Sequence, residues 1–100
     1  MAATAEKLST FDAWGMASVS NEQITVILSA IALDGRTINR TVRDKSDHPL
    51  GFDGTALVAV DLVSGMVAVH EIGKTAVLEH PDVKRVLKSA VGWLRKSAGR

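Results

Sequence analysis

The side chains that could hold a metal ion or act on a substrate are carboxylates and imidazoles in the middle of the chain. They are Asp47, His48, Asp53, His70, Glu71, Glu79 and His80. They show no metal-site spacing such as His-x-x-x-His, and a strand would point His70 and Glu71 to opposite faces. The chain also has no cysteine, which excludes thiolate ligands, disulfides and a cysteine nucleophile. The sequence therefore predicts no metal site.

Nucleophilic catalysis and phosphate binding lack their sequence patterns as well. No serine lies in a nucleophile-elbow pattern. The residues from Gly51 to Gly54 form Gly-x-x-Gly, but the lysine that follows in a phosphate-binding loop is missing. We therefore expect a non-enzymatic protein with no catalytic residues and no cofactor.

Positive charge is the clearest chemical pattern. Residues 1–79 carry six basic and ten acidic residues, whereas residues 80–100 carry the other six basic residues against Asp82 alone. A solvated helix face would explain these cations, and so would a surface for phosphates or an acidic partner. The candidate contact residues are Arg36, Arg40, Arg43, Lys84, Arg85, Lys88, Arg95 and Lys96.

A basic amphipathic helix is predicted at residues 80–98. Pro81 and Asp82 suit its first turn, where an amide donor is not needed and negative charge is favoured. Trp93 falls at the rim of its apolar stripe. The stripe follows the spacing i, i+3, i+4, i+7, i+8, i+11 and consists of Val83, Val86, Leu87, Ala90, Val91 and Leu94.

A β-hairpin is predicted at residues 55–72, because apolar residues alternate on both sides of Ser64-Gly65. A two-residue loop would place Leu62 opposite Val67 and Val60 opposite Val69. The C-terminal helix should then pack on the valine-rich face formed by Val58, Val60, Val67 and Val69.

Residues 20–45 support two alternatives. In the first, Asp34-Gly35 is the turn of a tight hairpin. In the second, Ser20 and Gln23 form a capping box at the start of a helix. Both alternatives bury the same four residues, which are Ile27, Ile31, Ile38 and Val42.

The helical alternative has a second form, in which a turn divides the helix, and this form has a functional implication. Residues 32–43 resemble the turn and recognition helix of a helix-turn-helix, with Ala32 in the turn. The hairpin at 55–72 would then be a wing. This resemblance implies nucleic-acid binding through exposed residues of the 36–43 segment.

We predict an α+β fold, with a small antiparallel sheet of about four strands and the C-terminal helix packed on one face. The strands are expected at 24–33, 36–43, 56–63 and 66–72, within a single domain covering residues 1–100. The N-terminal residues 1–20 are expected to be loosely ordered or briefly helical.

The function that these features favour is a small binding or regulatory module that acts through protein–protein contacts, including self-association through a strand edge. The alternative is a nucleic-acid-binding, winged-helix-like protein that uses residues 36–43 and the basic C-terminal helix. Residues 1–20 have no signal-peptide core, and no apolar run approaches the about 18 residues of a membrane span. We therefore expect a cytoplasmic protein without membrane contacts.

Overall fold

The computed structural model describes residues 12–45, 51, 53–69 and 76–99. It confirms the predicted α+β class, with five strands rather than four. The elements are β1 (Ala13–Ser20), β2 (Gln23–Ile31), β3 (Thr37–Lys45), β4 (Gly54–Val60), β5 (Val67–Val69), α1 (Ala76–Glu79) and α2 (Pro81–Ser97). Four of the metal candidates, Asp47, His48, His70 and Glu71, lie outside the described residues.

The five strands form one antiparallel sheet in the order β3-β2-β1-β4-β5. Alternate residues of the three middle strands are fully buried, as Val26, Leu28 and Val58 illustrate. They share one core with residues of both helices, including Val77 of α1 and Leu94 of α2. Both helices therefore cover the same face of the sheet.

Strand β1 corrects the prediction for the N-terminus, because residues 13–20 are neither loose nor helical. Its inward side chains include Ala13 and Ala17, whose small size weakens the apolar alternation that marks a strand. The turn to β2 has positive φ at both Asn21 and Glu22, as in a type I′ hairpin, but lacks the usual glycine. The sequence signal for this hairpin was therefore weak.

The β2–β3 hairpin exists, but its register differs from the prediction by one residue. Ala30 pairs with Ile38 and Val26 with Val42, whereas the prediction paired Ile31 with Ile38. The loop has three residues rather than two, with Gly35 at φ 87 in its last position. A shift of one residue exchanges the faces of a strand, so the prediction that Ile27 and Ile31 are buried is wrong.

The β4–β5 hairpin is confirmed, with a register that differs from the prediction by two residues. Val60 pairs with Val67 rather than with Val69. The connection is longer because Asp61 Oδ1 accepts hydrogen bonds from the amides of Val63 and Ser64 at 2.9 and 3.4 Å. A shift of two residues leaves each side chain on its face, and Val58, Val60 and Val67 contribute to the core.

Helix α2 begins and ends within one residue of the predicted helix. All six residues of its predicted apolar stripe are buried. The Nδ1 of His80 accepts a hydrogen bond from the Asp82 amide at 3.1 Å and caps the first turn. Most close backbone contacts of α2 are with β2 and β3 rather than with the predicted β4 and β5, whereas α1 packs on β1 and β4. The predicted residues Val58 and Val60 still lie in the core that α2 shares.

The helical alternative for residues 20–45 is wrong, because these residues form two strands and their turns. Residues 36–43 lie in the end of a loop and in β3, so they contain no recognition helix. The resemblance to a helix-turn-helix therefore has no counterpart in the structure. The strands place every second residue of this segment on the face away from the helices.

Candidate functional site

The sheet face opposite the helices has an apolar centre. Trp14 of β1 is flanked by Ser29 and Ala59, and Met16 is flanked by Ile27 and Leu57. The side chain of Trp14 is 46% exposed and that of Ile27 is 38% exposed. We call this surface the open face and define its centre by Trp14, Met16, Ile27, Leu57 and Ala59.

The apolar centre of the open face is surrounded by polar residues, most of which are uncharged. Ser18, Thr25 and Thr55 form a row across three strands next to Met16. On the other side of the centre, the hydroxyl of Ser29 donates a hydrogen bond to Oδ1 of Asn39 at 2.7 Å. Charged side chains reach this face only on β3, within the part of the sheet that the structure describes.

The three cations predicted between residues 36 and 43 lie on different surfaces. The backbone amide and the Nε of Arg36 donate hydrogen bonds to Asp34, at 3.1 and 2.6 Å, and these bonds lower the pKa of the Asp34 carboxyl. Arg40 points to the helix side, where its guanidinium lies 4.7 Å from the centre of the Trp93 ring. Arg43 is exposed on the opposite side of β3.

Two other predicted cations, Arg85 and Lys96, lie at distant positions on α2. Arg85 donates a hydrogen bond to Asp44 of β3 at 2.9 Å and forms a longer ion pair with Asp82, at 3.8 Å. It therefore connects the helix to the edge strand. Lys96 is exposed in the last helical turn, where a cation complements the helix dipole.

The other three predicted cations, Lys84, Lys88 and Arg95, line one groove. The groove lies between α2 and the β4–β5 turn and has a volume of about 670 Å³. Arg95 reaches across to the turn, and its Nη2 donates a hydrogen bond to the carbonyl oxygen of Val63 at 2.9 Å. We call this site the basic groove, and its lining residues are Ser64, Gly65, Val67, Leu78, Lys84, Leu87, Lys88, Val91, Gly92 and Arg95.

The eight predicted contact residues thus form no single surface. Three of them share the basic groove, and the other five are distributed between the β2–β3 loop, both sides of β3 and other positions on α2. The apolar residues of the open face were missed as site residues, because the predicted register placed Ile27 in the core. In the sequence these residues were marked only by the alternation of apolar residues along the strands. The side of the sheet to which those residues point depends on the register.

A search of the described residues finds no cluster of three or more potential metal ligands. Neither described helix is long and apolar enough to cross a membrane. In comparisons with known proteins, no family model, no curated protein and no solved structure matches the chain.

Proposed function

We propose that this protein is a non-enzymatic binding module that forms a homodimer through its open face. The observation that carries the proposal is the exposure of Trp14 in the uncharged centre of the open face. Trp14 and Ile27 are diagonal neighbours on adjacent strands, and both are partly exposed. Together they form an apolar patch of the kind that marks protein–protein interfaces.

The chemistry of the open face favours a second copy of this protein as its binding partner. The centre carries no charge, so two copies related by a two-fold axis would bring no like charges together there. Four strands spaced about 4.8 Å apart, each with eight residues at about 3.3 Å, give a footprint of about 500 Å². Two such faces bury about 1,000 Å², which reaches the lower size limit of specific interfaces.

The sheet edges are less suitable for self-association than the open face. Strand β3 carries Arg40, Arg43 and Lys45, and charged side chains on an edge oppose pairing with another strand. The other edge strand, β5, has three residues in the described part of the chain. We therefore place self-association on the open face rather than on the strand edge expected from the sequence.

Sedimentation equilibrium over a range of protein concentrations tests the dimer. We expect the wild type to dimerise reversibly and a Trp14→Lys, Ile27→Lys double variant to stay monomeric, because two lysines would be buried in the interface. The matched control is Leu33→Lys with Met66→Lys, which adds the same charge at exposed apolar residues outside the open face. A monomeric wild type, or equal dissociation of the control variant, would contradict the proposal.

The nucleic-acid alternative is tested with the same protein. A phosphate-binding surface would give an affinity for duplex DNA that falls with salt, at a slope of about −0.9 per phosphate contact. Because the predicted cations are distributed over several surfaces, we expect no such binding. Salt-sensitive binding that an Arg36→Glu, Arg43→Glu double variant loses would favour this alternative over the dimer.

A further inference from the structure

The basic groove has the composition of a binding site. Its apolar floor includes Val67, Leu78 and Leu87. Its volume of about 670 Å³ lies within the range of about 300–1,000 Å³ that is typical of ligand sites. The described lining residues include cations but no acid, so an occupant with negative charge next to apolar groups would complement the groove.

The spacing of the cations indicates an extended occupant. Lys84, Lys88 and Arg95 stand at positions i, i+4 and i+11 of one helix. At about 1.5 Å of rise per residue, the first and last are about 16 Å apart along the helix axis. One small anionic headgroup cannot contact all three, whereas a second helix with carboxylates at the same spacing can.

A glycine in the middle of α2 adds no side chain to the groove. Gly92 lines the groove, and a Cβ added to it would meet no atom of the described residues within 4 Å. Glycine inside a helix costs about 0.5–1 kcal/mol relative to alanine. No close backbone contact at this position requires glycine, so its structural effect is to leave space between Lys88 and Arg95.

We infer that the basic groove binds an acidic amphipathic helix from a partner protein. The apolar residues of that helix would cover Leu78 and Val91, and its carboxylates would pair with Lys84, Lys88 and Arg95. This mode follows the general pattern of an amphipathic helix in an apolar groove. The inference does not depend on dimerisation, because the basic groove and the open face lie on opposite sides of the sheet.

The probe for this inference is a labelled synthetic peptide of about four helical turns, with Glu at i, i+4 and i+11 beside a Leu stripe. Fluorescence anisotropy should show saturable binding that weakens as salt rises. The Gly92→Leu variant should bind at least about tenfold more weakly, because its side chain occupies the groove. Its matched control, Gly92→Ala, should bind like the wild type.

A second pair of variants tests the role of charge. The Lys84→Glu, Lys88→Glu variant should also lose about tenfold or more in affinity. An Arg43→Glu, Lys96→Glu variant makes the same change in net charge outside the groove and should bind normally. Circular dichroism confirms that each variant is folded.

Three results would overturn the inference. The first is no peptide binding by the folded wild type. The second is equal binding by the two Gly92 variants, or equal weakening in the two charge-reversed variants, which would indicate non-specific electrostatic attraction. The third is binding of dodecanoate but not of the peptide, which would assign the groove to a small amphiphile with one headgroup.

Discussion

Arg40 shows how the environment of one residue changes its expected role. As part of the 36–43 segment, it was predicted to contact a partner or a phosphate. In the structure its guanidinium lies over the Trp93 ring, and its Nε is buried without a hydrogen-bond partner among the described residues. A contact of this kind stabilises a protein by about 0.5–2 kcal/mol, and a phosphate would have to displace it. Arg40 is therefore better explained as a link between β3 and α2.

Two glycines should respond in opposite ways to substitution by alanine. At Gly15 a Cβ would collide with the backbone carbonyl of Ile27 on the neighbouring strand, so Gly15→Ala should destabilise the fold by about 1–3 kcal/mol. At Gly92 a Cβ meets open space, so Gly92→Ala should stabilise it by about 0.5–1 kcal/mol. Urea denaturation of both variants checks this prediction. A stable Gly15→Ala variant would mean that β1 and β2 are further apart than described here.

The carboxyl of Asp34 in the β2–β3 loop should have a pKa below its ordinary value. Hydrogen bonds from the Arg36 backbone and side chain hold the pKa of Asp34 below its usual value. The stability that these bonds contribute is present above the unfolded-state pKa of the aspartate and is lost as pH falls through the lower folded-state pKa. NMR titration of the Asp34 carboxyl should therefore give a low midpoint that rises in an Arg36→Ala variant. An unchanged midpoint would show that the side-chain ion pair is absent in solution.

Buried and exposed side chains alternate along β2, and this alternation allows a direct test of the strand register. Leu28 is fully buried, whereas Ile31 is 39% exposed. Leu28→Ala should lower the free energy of unfolding by about 2–5 kcal/mol, and Ile31→Ala should change it by about 1 kcal/mol or less. The measurement is urea denaturation at a protein concentration low enough to dissociate a dimer. The reverse order of the two losses would restore the register predicted from the sequence.

Three parts of the α2 surface have different roles. Its apolar stripe belongs to the core that covers one face of the sheet, and Arg85 reaches Asp44 on the edge strand. The flank that carries Lys84 and Lys88 borders the basic groove instead. The exposed ion pair adds about 0–1 kcal/mol, so most of the helix's stability comes from its apolar stripe. The groove flank is consequently free to change without loss of the fold.

At the scale of the whole molecule, β1 occupies the centre of the sheet although it comes first in the described chain. It pairs with β2 on one side and with β4 on the other. The sheet therefore needs contacts between residues far apart in sequence, such as Ala13 with Val60. Folding of β1 and β4 must be coupled, because neither edge of β1 is free in the finished sheet.

The rate of amide hydrogen exchange in each strand should depend on the position of that strand in the sheet. Amides of β1 should exchange slowest, because they open only with the whole sheet, and those of β5 should exchange much faster, because that strand has three residues at an edge. Exchange measured by NMR on backbone amides checks the prediction. Equal protection of β1 and β5 would contradict it and would indicate that another segment covers the β5 edge.

Local patterns in the sequence determined the bounds and buried stripe of α2 and the inward face of Val58, Val60 and Val67. They did so because helix periodicity and strand alternation depend on neighbouring residues alone. The register of β2–β3 was decided by tertiary packing, because the observed register places Val26, Leu28 and Ala30 in the core shared with the helices. The same register leaves Ile27 on the open face. The loop also contacts α2, because the amide of Leu33 donates a hydrogen bond to the carbonyl oxygen of Ala98 at 3.3 Å. The open face and the basic groove both arise from such distant contacts, which periodicity cannot reveal.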